Sequence, residues 1–343
     1  MSKLSRGVLV LLFLLASALS LHVSTPTAQA APVYYGITDT GKVSNFKREE
    51  QRLQFHFPLL QTFHPWGNKL NQAIPRWNRL QVRPMLHIAT VDDETRRQLI
   101  TPEGIWRGQG DGYLKRLNRE LAAYGKPVFL RPMGEANRLW NAYSAYNFRG
   151  HRRGSKHSFT DYKQAFRRIY TIVKGGSRRA ISKQLKSLRM PGLRGRSKRL
   201  LPQPKVNVIW SPLPGNQGIR GNGPVSYWPG GRFVDTVGTS FFSAWPEWSS
   251  LNRFYRQFGR NKPFSISEWG LNSDDPGFAS KLTYWCLRRS NCRSMVYYRG
   301  FDDGYELRNY PQSENTIRQL LDSKQSLLEF YPEWLRENRR WDS

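Results

Sequence analysis

Cysteine and acid are the scarce residues of this chain. Its 343 residues include 2 cysteines, and 25 Asp and Glu stand against 54 Lys and Arg, a formal net charge of +29. The two cysteines, Cys286 and Cys292, have five residues between them and allow one local disulfide or two unpaired thiols. The 6 histidines are scattered, and no spacing of His, Cys or carboxylate resembles a ligand set, so no metal and no other cofactor is expected. Beyond the first thirty residues no segment approaches 18 consecutive apolar residues, which excludes a later transmembrane helix. Aromatic residues, by contrast, are plentiful: 13% of the chain, with 12 Trp and 38% hydrophobic residues overall. That composition excludes a disordered basic tail. The charge leaves two readings open, a nucleic-acid binder or an exported protein working against an acidic surface.

The N-terminus favours export. Lys3 and Arg6 precede an apolar run from Val8 to Leu21, and Ala28-Gln29-Ala30 offers a cleavage site before Ala31. Residues 1–30 therefore read as a secretory signal peptide, with an uncleaved anchor as the alternative. The mature protein is expected to be secreted, extracellular or attached to the cell envelope. An oxidising compartment then favours the Cys286–Cys292 disulfide over free thiols.

Short β-type runs recur along the mature chain at Val33–Ile37, Leu59–Phe63, Arg83–Ile88, Pro127–Arg131, Val206–Trp210, Thr236–Thr239, Phe264–Glu268 and Ser294–Tyr298. Between them lie helical patterns such as Asn45–Gln54, Asp111–Tyr124, Asp161–Val173, Leu251–Phe258, Phe278–Arg288 and Glu314–Asp322. Eight β-then-α units predict an α/β fold, a (β/α)8 TIM barrel forming one domain over 31–343. The alternative, an open doubly wound sheet, lacks a Gly-rich phosphate fingerprint after its first strand. One stretch breaks the rhythm. Tyr162 to Val234 contains 16 Lys and Arg and no acid, and about 175–204 reads as an exposed, flexible basic insertion before the fifth strand. Its bland reading is a solvated loop; its sharper one is a tether to an anionic cell-envelope polymer.

Barrel chemistry sits at the C-terminal ends of strands, and two glutamates occupy such places. Glu135 follows the fourth strand and Glu268 ends the seventh. Each could be a structural salt bridge, but two facing carboxylates at strand ends suit glycoside hydrolysis, one as acid and the other as nucleophile. Trp66, Trp106, Trp140, Trp210, Trp245 and Trp269 lie at or after strand ends, where flat rings stack on sugar faces; about half are expected to touch ligand.

Four motifs occur in order. Arg131-Pro132-Met133-Gly134-Glu135-Ala136-Asn137 with Trp140 resembles the acid/base motif of glycoside hydrolase family 26, R-P-x-H-E-M-N-x-x-W. Trp210-Ser211-Pro212, Val234-Asp235-Thr236-Val237-Gly238 and Ile266-Ser267-Glu268-Trp269-Gly270 are similar to that family's motifs at strands five, six and seven. The resemblance runs from about Tyr35 to Tyr298. It implies a retaining, endo-acting β-glycanase, most often a β-mannanase, with a polysaccharide substrate; a monomer is expected. Glu135 would be the general acid/base, with a raised pKa, and Glu268 the nucleophile, their carboxyl groups about 5–5.5 Å apart. Arg131, Asn137 and Trp140 would shape the sugar site, with His64, Trp66, Trp210, Phe242, Trp269 and Tyr298 as further substrate contacts.

Two positions depart from the pattern. Gly134 stands where the family has His, which removes an imidazole and leaves space. Phe242 stands where a Tyr would hydrogen-bond the nucleophile, and Tyr298 could supply a replacement hydroxyl. The alternatives to a hydrolase are a catalytically degenerate barrel that binds polysaccharide at the cell envelope and, less in keeping with export, a nucleic-acid or other polyanion binder.

Overall fold

The computed structural model describes residues 33–38, 42–92, 94–95, 97–195, 200–299 and 303–324. The leader at 1–30 lies outside them. Eight strands, β1 (Tyr34–Thr38), β2 (Leu59–Pro65), β3 (Arg83–Ala89), β4 (Val128–Pro132), β5 (Val206–Trp210), β6 (Thr236–Phe242), β7 (Phe264–Gly270) and β8 (Cys292–Tyr297), close into a parallel barrel in sequence order. β1 pairs with β8 to complete the ring, Tyr34 against Ser294. The helices around it are α1 (Val43–Leu53), α2 (Ala73–Leu80), α3 (Pro102–Trp106), α4 (Asp111–Tyr124), α5 (Phe159–Val173), α6 (Arg178–Ser187), α7 (Pro224–Tyr227), α8 (Trp248–Phe254), α9 (Pro276–Leu287) and α10 (Pro311–Ser323). The (β/α)8 barrel expected from the sequence is thus present, with strand limits within a few residues.

Local chemistry explains the helix limits. Ser158 and Asp161 form a reciprocal capping box at the start of α5, satisfying two orphan backbone donors. Asp275 accepts from the Phe278 amide and Pro276 opens α9, where a missing N–H costs nothing. At the other end of α9 a disulfide joins Cys286 to Cys292, with Cα atoms 5.4 Å apart, and ties the helix to the strand that follows.

Side chains alternate along each strand, and the barrel interior uses this twice. Its lower layer is apolar: Tyr34, Leu59, Met85, Phe129, Ile209 and Val296 form a buried cluster of their own. The Arg83 guanidinium lies 4.0 Å from the Phe129 ring centroid. Two residues further along β2, β3 and β4, the same inward face carries Gln61, His87 and Arg131, all buried and polar. The remaining apolar residues pack between strands and helices.

The basic segment departs from its sequence reading. The described part of 175–204 carries a helix and buried apolar residues rather than a wholly exposed loop. Ser177 caps α6, and Ile181 and Leu185, one turn apart, are buried together with Met190, Leu193 and Leu201. Arg168 reaches beneath it with two bonds to Asp111, at 2.7 and 2.6 Å, and Asp111 also accepts from the Arg194 amide at 2.7 Å. Charge counting missed the apolar stripe that seats this helix. Arg179, Lys183, Lys186, Arg189 and Arg194 remain exposed; residues 196–199 lie outside the described set.

Candidate active site

Glu268 reaches the barrel interior through an irregularity. On β7, Ile266 belongs to the main core outside the barrel, so strict alternation would turn Glu268 outward too. The register slips instead: Thr239 of β6 pairs with Ile266, while the next residue, Ser240, pairs with Glu268. One extra residue in a strand reverses the face of everything after it. Glu268 consequently points inward, and Trp269 points outward, where it is buried between Tyr35, Tyr297 and Phe278.

Inside, Glu268 Oε1 accepts from Gln61 Nε2 at 2.5 Å and from Arg131 Nη1. Arg131 also donates from Nη1 to His87 Nδ1 and from Nη2 to Ser240 Oγ, both at 3.1 Å. Burial, and then the Arg131 charge, keep the pKa of His87 low and its ring neutral, which leaves a lone pair to accept that bond. Gln61 and Arg131 supply the orienting donors that Phe242 does not. Tyr298 lies near enough for Glu268, after burial, to raise its phenol pKa, and its ring packs edge-on against Phe63, Phe242 and Tyr305.

Glu135 is placed by a kink beyond β4. Met133 and Glu135 both adopt left-handed backbone, with φ of 49° and 53°, a conformation costing about 1–3 kcal/mol at a non-glycine residue. The loop is held by bonds from every side. The Glu135 amide donates to Ser211 O at 2.5 Å, Tyr143 Oη to Gly134 O at 2.6 Å, and Asn141 Nδ2 to Glu135 O at 2.9 Å. The Glu135 carboxylate is buried and accepts from Arg138 Nη1 at 2.6 Å. The space expected beside Gly134 is not empty. A Cβ there would lie 2.7 Å from Arg131 Cζ, so the guanidinium fills the volume a larger residue would need. Glycine at 134 is the consequence of where Arg131 sits.

The charges of the two carboxyl groups are the reverse of the sequence expectation. Burial alone would raise the pKa of Glu135, but Arg138 and then Arg131 outweigh it and hold it below the usual carboxylate range. Glu268 is pushed up to about 7 by burial and by the neighbouring Glu135 charge, against the pull of Arg131. Two carboxylates sharing one dry site do not both ionise readily, and these opposite shifts favour a proton on Glu268 over one on Glu135. The sequence expectation overlooked Arg138, which lies one turn beyond Glu135.

Several other expected contacts fall elsewhere. Trp210 is fully buried between Trp228, Phe254 and Phe258, and Trp66 is nearly so, against Tyr113. With Trp269 they belong to the core rather than to a sugar platform. Trp106 donates to Asp161 at 2.7 Å and is part-buried. Asn137 uses its amide on the chain itself, donating to Leu213 O and Gly215 O and accepting from the Leu213 amide; it clasps the loop after β5. His64 is half-buried, and burial, then the Arg76 charge, lower its pKa to about 4. Trp140 and Trp245 are open, at 58% and 66% exposure. With Arg138, Ser240, Phe242 and Glu247 they line a cavity of about 380 Å³. Gln61, His87, Ser240 and Arg138 were not singled out from the sequence. A polar residue interrupting an apolar strand, as in Leu60-Gln61-Thr62 or Leu86-His87-Ile88, is the signal that could have found the first two.

Among the described residues no cluster of His, Cys, Asp and Glu could hold a metal ion, and no helix is long and apolar enough to cross a membrane. No protein-family profile matches the chain, and no curated protein matches it by sequence. Solved structures do match. The chain is similar to the Bacillus subtilis mannanase BCman, at 14% identity over 83% of this chain and 84% of that one, with a TM-score of 0.54. It is similar to GH26A of Muricauda sp. MAR_2010_75, at 12% identity, 86% and 90% coverage and a TM-score of 0.53. A Podospora anserina GH26-CBM35 β-(1,4)-mannanase aligns at 13% identity over 87% of this chain and 64% of that one, with a TM-score of 0.52. A fold is not a function at such identities; the chain has the barrel fold of the glycoside hydrolase family 26 mannanases.

Proposed function

We propose that this protein is a retaining β-glycoside hydrolase, endo-acting on β-mannan or a related β-glycan. The observation that supports it above all is a pair of buried carboxylates, Glu135 and Glu268, delivered from the ends of β4 and β7, beside an open cavity walled by exposed tryptophans. Glu135 donates a proton to the leaving oxygen while Glu268 attacks the anomeric carbon. Glu135 then takes a proton from water as that water displaces Glu268. Arg131, bonded to Glu268 and braced by His87 and Ser240, orients the nucleophile and steadies its charge. Neutral sugar rings stack on Trp140 and Trp245, and β-1,4-mannan is the default substrate by likeness to the solved mannanases.

The same reading has the leader at 1–30 exporting a monomeric barrel domain over 31–343. The exposed cations of α6 keep it near an anionic envelope polymer, an attachment that salt should weaken. A second reading, a barrel that binds glycan without cleaving it, draws support from the Arg138 bond that occupies Glu135. A fluorosugar inhibitor separates the two. A covalent adduct on Glu268, with release of reducing ends from a β-glycan and net retention at the anomeric carbon by NMR, supports hydrolysis. Tight glycan binding with neither adduct nor product supports binding alone.

A further inference from the structure

Arg138 presents the proposed hydrolase with a difficulty. Glu135 can protonate a leaving group only when it carries a proton, and a guanidinium at 2.6 Å keeps it ionised. Arg138 is built into the cavity wall, lying 4.8 Å from the Trp140 ring centroid and lining the cavity. A guanidinium has five N–H donors in a rigid fork, and the bond to Glu135 uses one. The hydroxyls of a neutral sugar compete poorly for a partner already bonded to a carboxylate, whereas a second carboxylate competes on equal terms.

We propose that Arg138 is the receptor for a uronate on the leaving-group side of the scissile bond, so that the preferred substrate is a β-1,4-glycan bearing C6 carboxylates. This rests on the hydrolase reading above. The side follows from Glu135, which delivers its proton to the leaving oxygen and is the group Arg138 holds. As the substrate carboxylate takes up the guanidinium, its hold on Glu135 weakens. The proton of the pair passes from Glu268 to Glu135, leaving a loaded acid and an ionised nucleophile with no change in proton count. Glu135, Glu268 and Tyr305 act on the Arg138 charge, and Arg138 in turn acts on the Tyr143 and Tyr298 phenols. Glu247, the cavity's other charged lining residue, lies against Gly215 and repels an anion there, which confines the uronate to the Arg138 end.

Two oligosaccharides that differ only at C6, a β-1,4-linked mannuronate hexamer and mannohexaose, test the proposal apart from the reading beneath it. Calorimetry on the full chain carrying Glu268→Gln measures binding without turnover. The mannuronate hexamer should bind about tenfold tighter at low salt, and adding Arg138→Gln should erase that preference. Should Arg138→Gln fail to fold, Arg138→Lys, which keeps the charge and loses the fork, should forfeit most of it. Equal binding of the two hexamers, or a preference that survives both variants, overturns the receptor. Reducing-end release by the unaltered protein judges hydrolysis separately: a binding preference with no product from either hexamer ends the hydrolase reading and retains the receptor. With turnover present, Arg138→Gln should move the alkaline limb of kcat/KM to higher pH, because a cation has left both carboxyl groups; an unmoved limb removes Arg138 from the proton exchange.

Discussion

The two layers inside the barrel are built from the same strands, two residues apart, and do opposite work. Leu59, Met85 and Phe129 fill the lower layer with apolar volume. Gln61, His87 and Arg131, next on the same face, fill the upper layer with groups that are costly to bury unless bonded. The lower layer gains stability from exclusion of water. The upper layer spends backbone strain and desolvation to fix two carboxylates in chosen positions, and those positions are where chemistry is proposed. The difference shows that burial alone does not mark a stabilising residue in this protein.

Substitutions in the two layers should separate sharply. Glu268→Gln removes the proposed nucleophile and should lower kcat roughly 10⁴-fold or more, while its thermal midpoint holds or rises because a buried ionisable group has gone. A midpoint that falls steeply would mean Glu268 serves the fold. Phe129→Ala should show the reverse emphasis, losing about 3–5 kcal/mol in denaturant unfolding with a far smaller change in turnover by the protein that remains folded. Gly134→Ala tests the contact between the layers' neighbours. Its methyl overlaps Arg131, so stability should fall by about 1–3 kcal/mol, and turnover should fall up to about 10²-fold as Arg131 moves. Full activity with alanine would show that the guanidinium has room to shift.

The pH dependence of stability is a smaller effect with a definite sign. Glu268 keeps its proton in the folded chain up to about 7, against an ordinary value of 4.5, so between those values the folded state binds more protons than the unfolded one. Stability should fall as pH rises through that window and level off above it. Glu135, with its pKa lowered by Arg138 and Arg131 against its burial, acts oppositely, adding stability that is lost as pH falls below its ordinary value. His64 and His87, whose lowered pKa values add stability as pH rises toward their ordinary 6.5, contribute the opposite slope in both proteins, so the fall should appear in urea titrations from pH 4 to 8 as the difference between the unaltered protein and Glu268→Gln. The smallest effect belongs to the basic face of α6. Replacing Arg179, Lys183 and Lys186 with Gln should change stability by less than about 0.5 kcal/mol each, whereas Leu185→Ala beneath them should cost about 2–5 kcal/mol. Comparable losses would mean that the charges, not the stripe, seat the helix.

Much of this was legible in the chain. Eight alternating strand and helix patterns specify the barrel because period-2 and period-3.6 burial are local properties that each segment displays by itself. The strand-end positions of Glu135 and Glu268 followed from the same alternation. The tryptophans were less legible: Trp140 follows an apolar strand and Trp210 ends one, yet the first is open and the second enclosed by Trp228, Phe254 and Phe258. Whether a ring faces sugar or core depends on which loops cover it.

Composition and pattern by themselves determined the fold class, the two glutamates and an unpaired excess of positive charge. Tertiary structure decided how that charge is used. It spent Arg168 on Asp111, Arg131 on Glu268 and Arg138 on Glu135, and left the α6 cations in solvent. The physical reason is that a charge's energy depends on its distance to a partner and on the water around both, and neither is a property of a residue's place in the chain. For the same reason the environment of the carboxylate pair favours a proton on Glu268, where the motif pointed to Glu135.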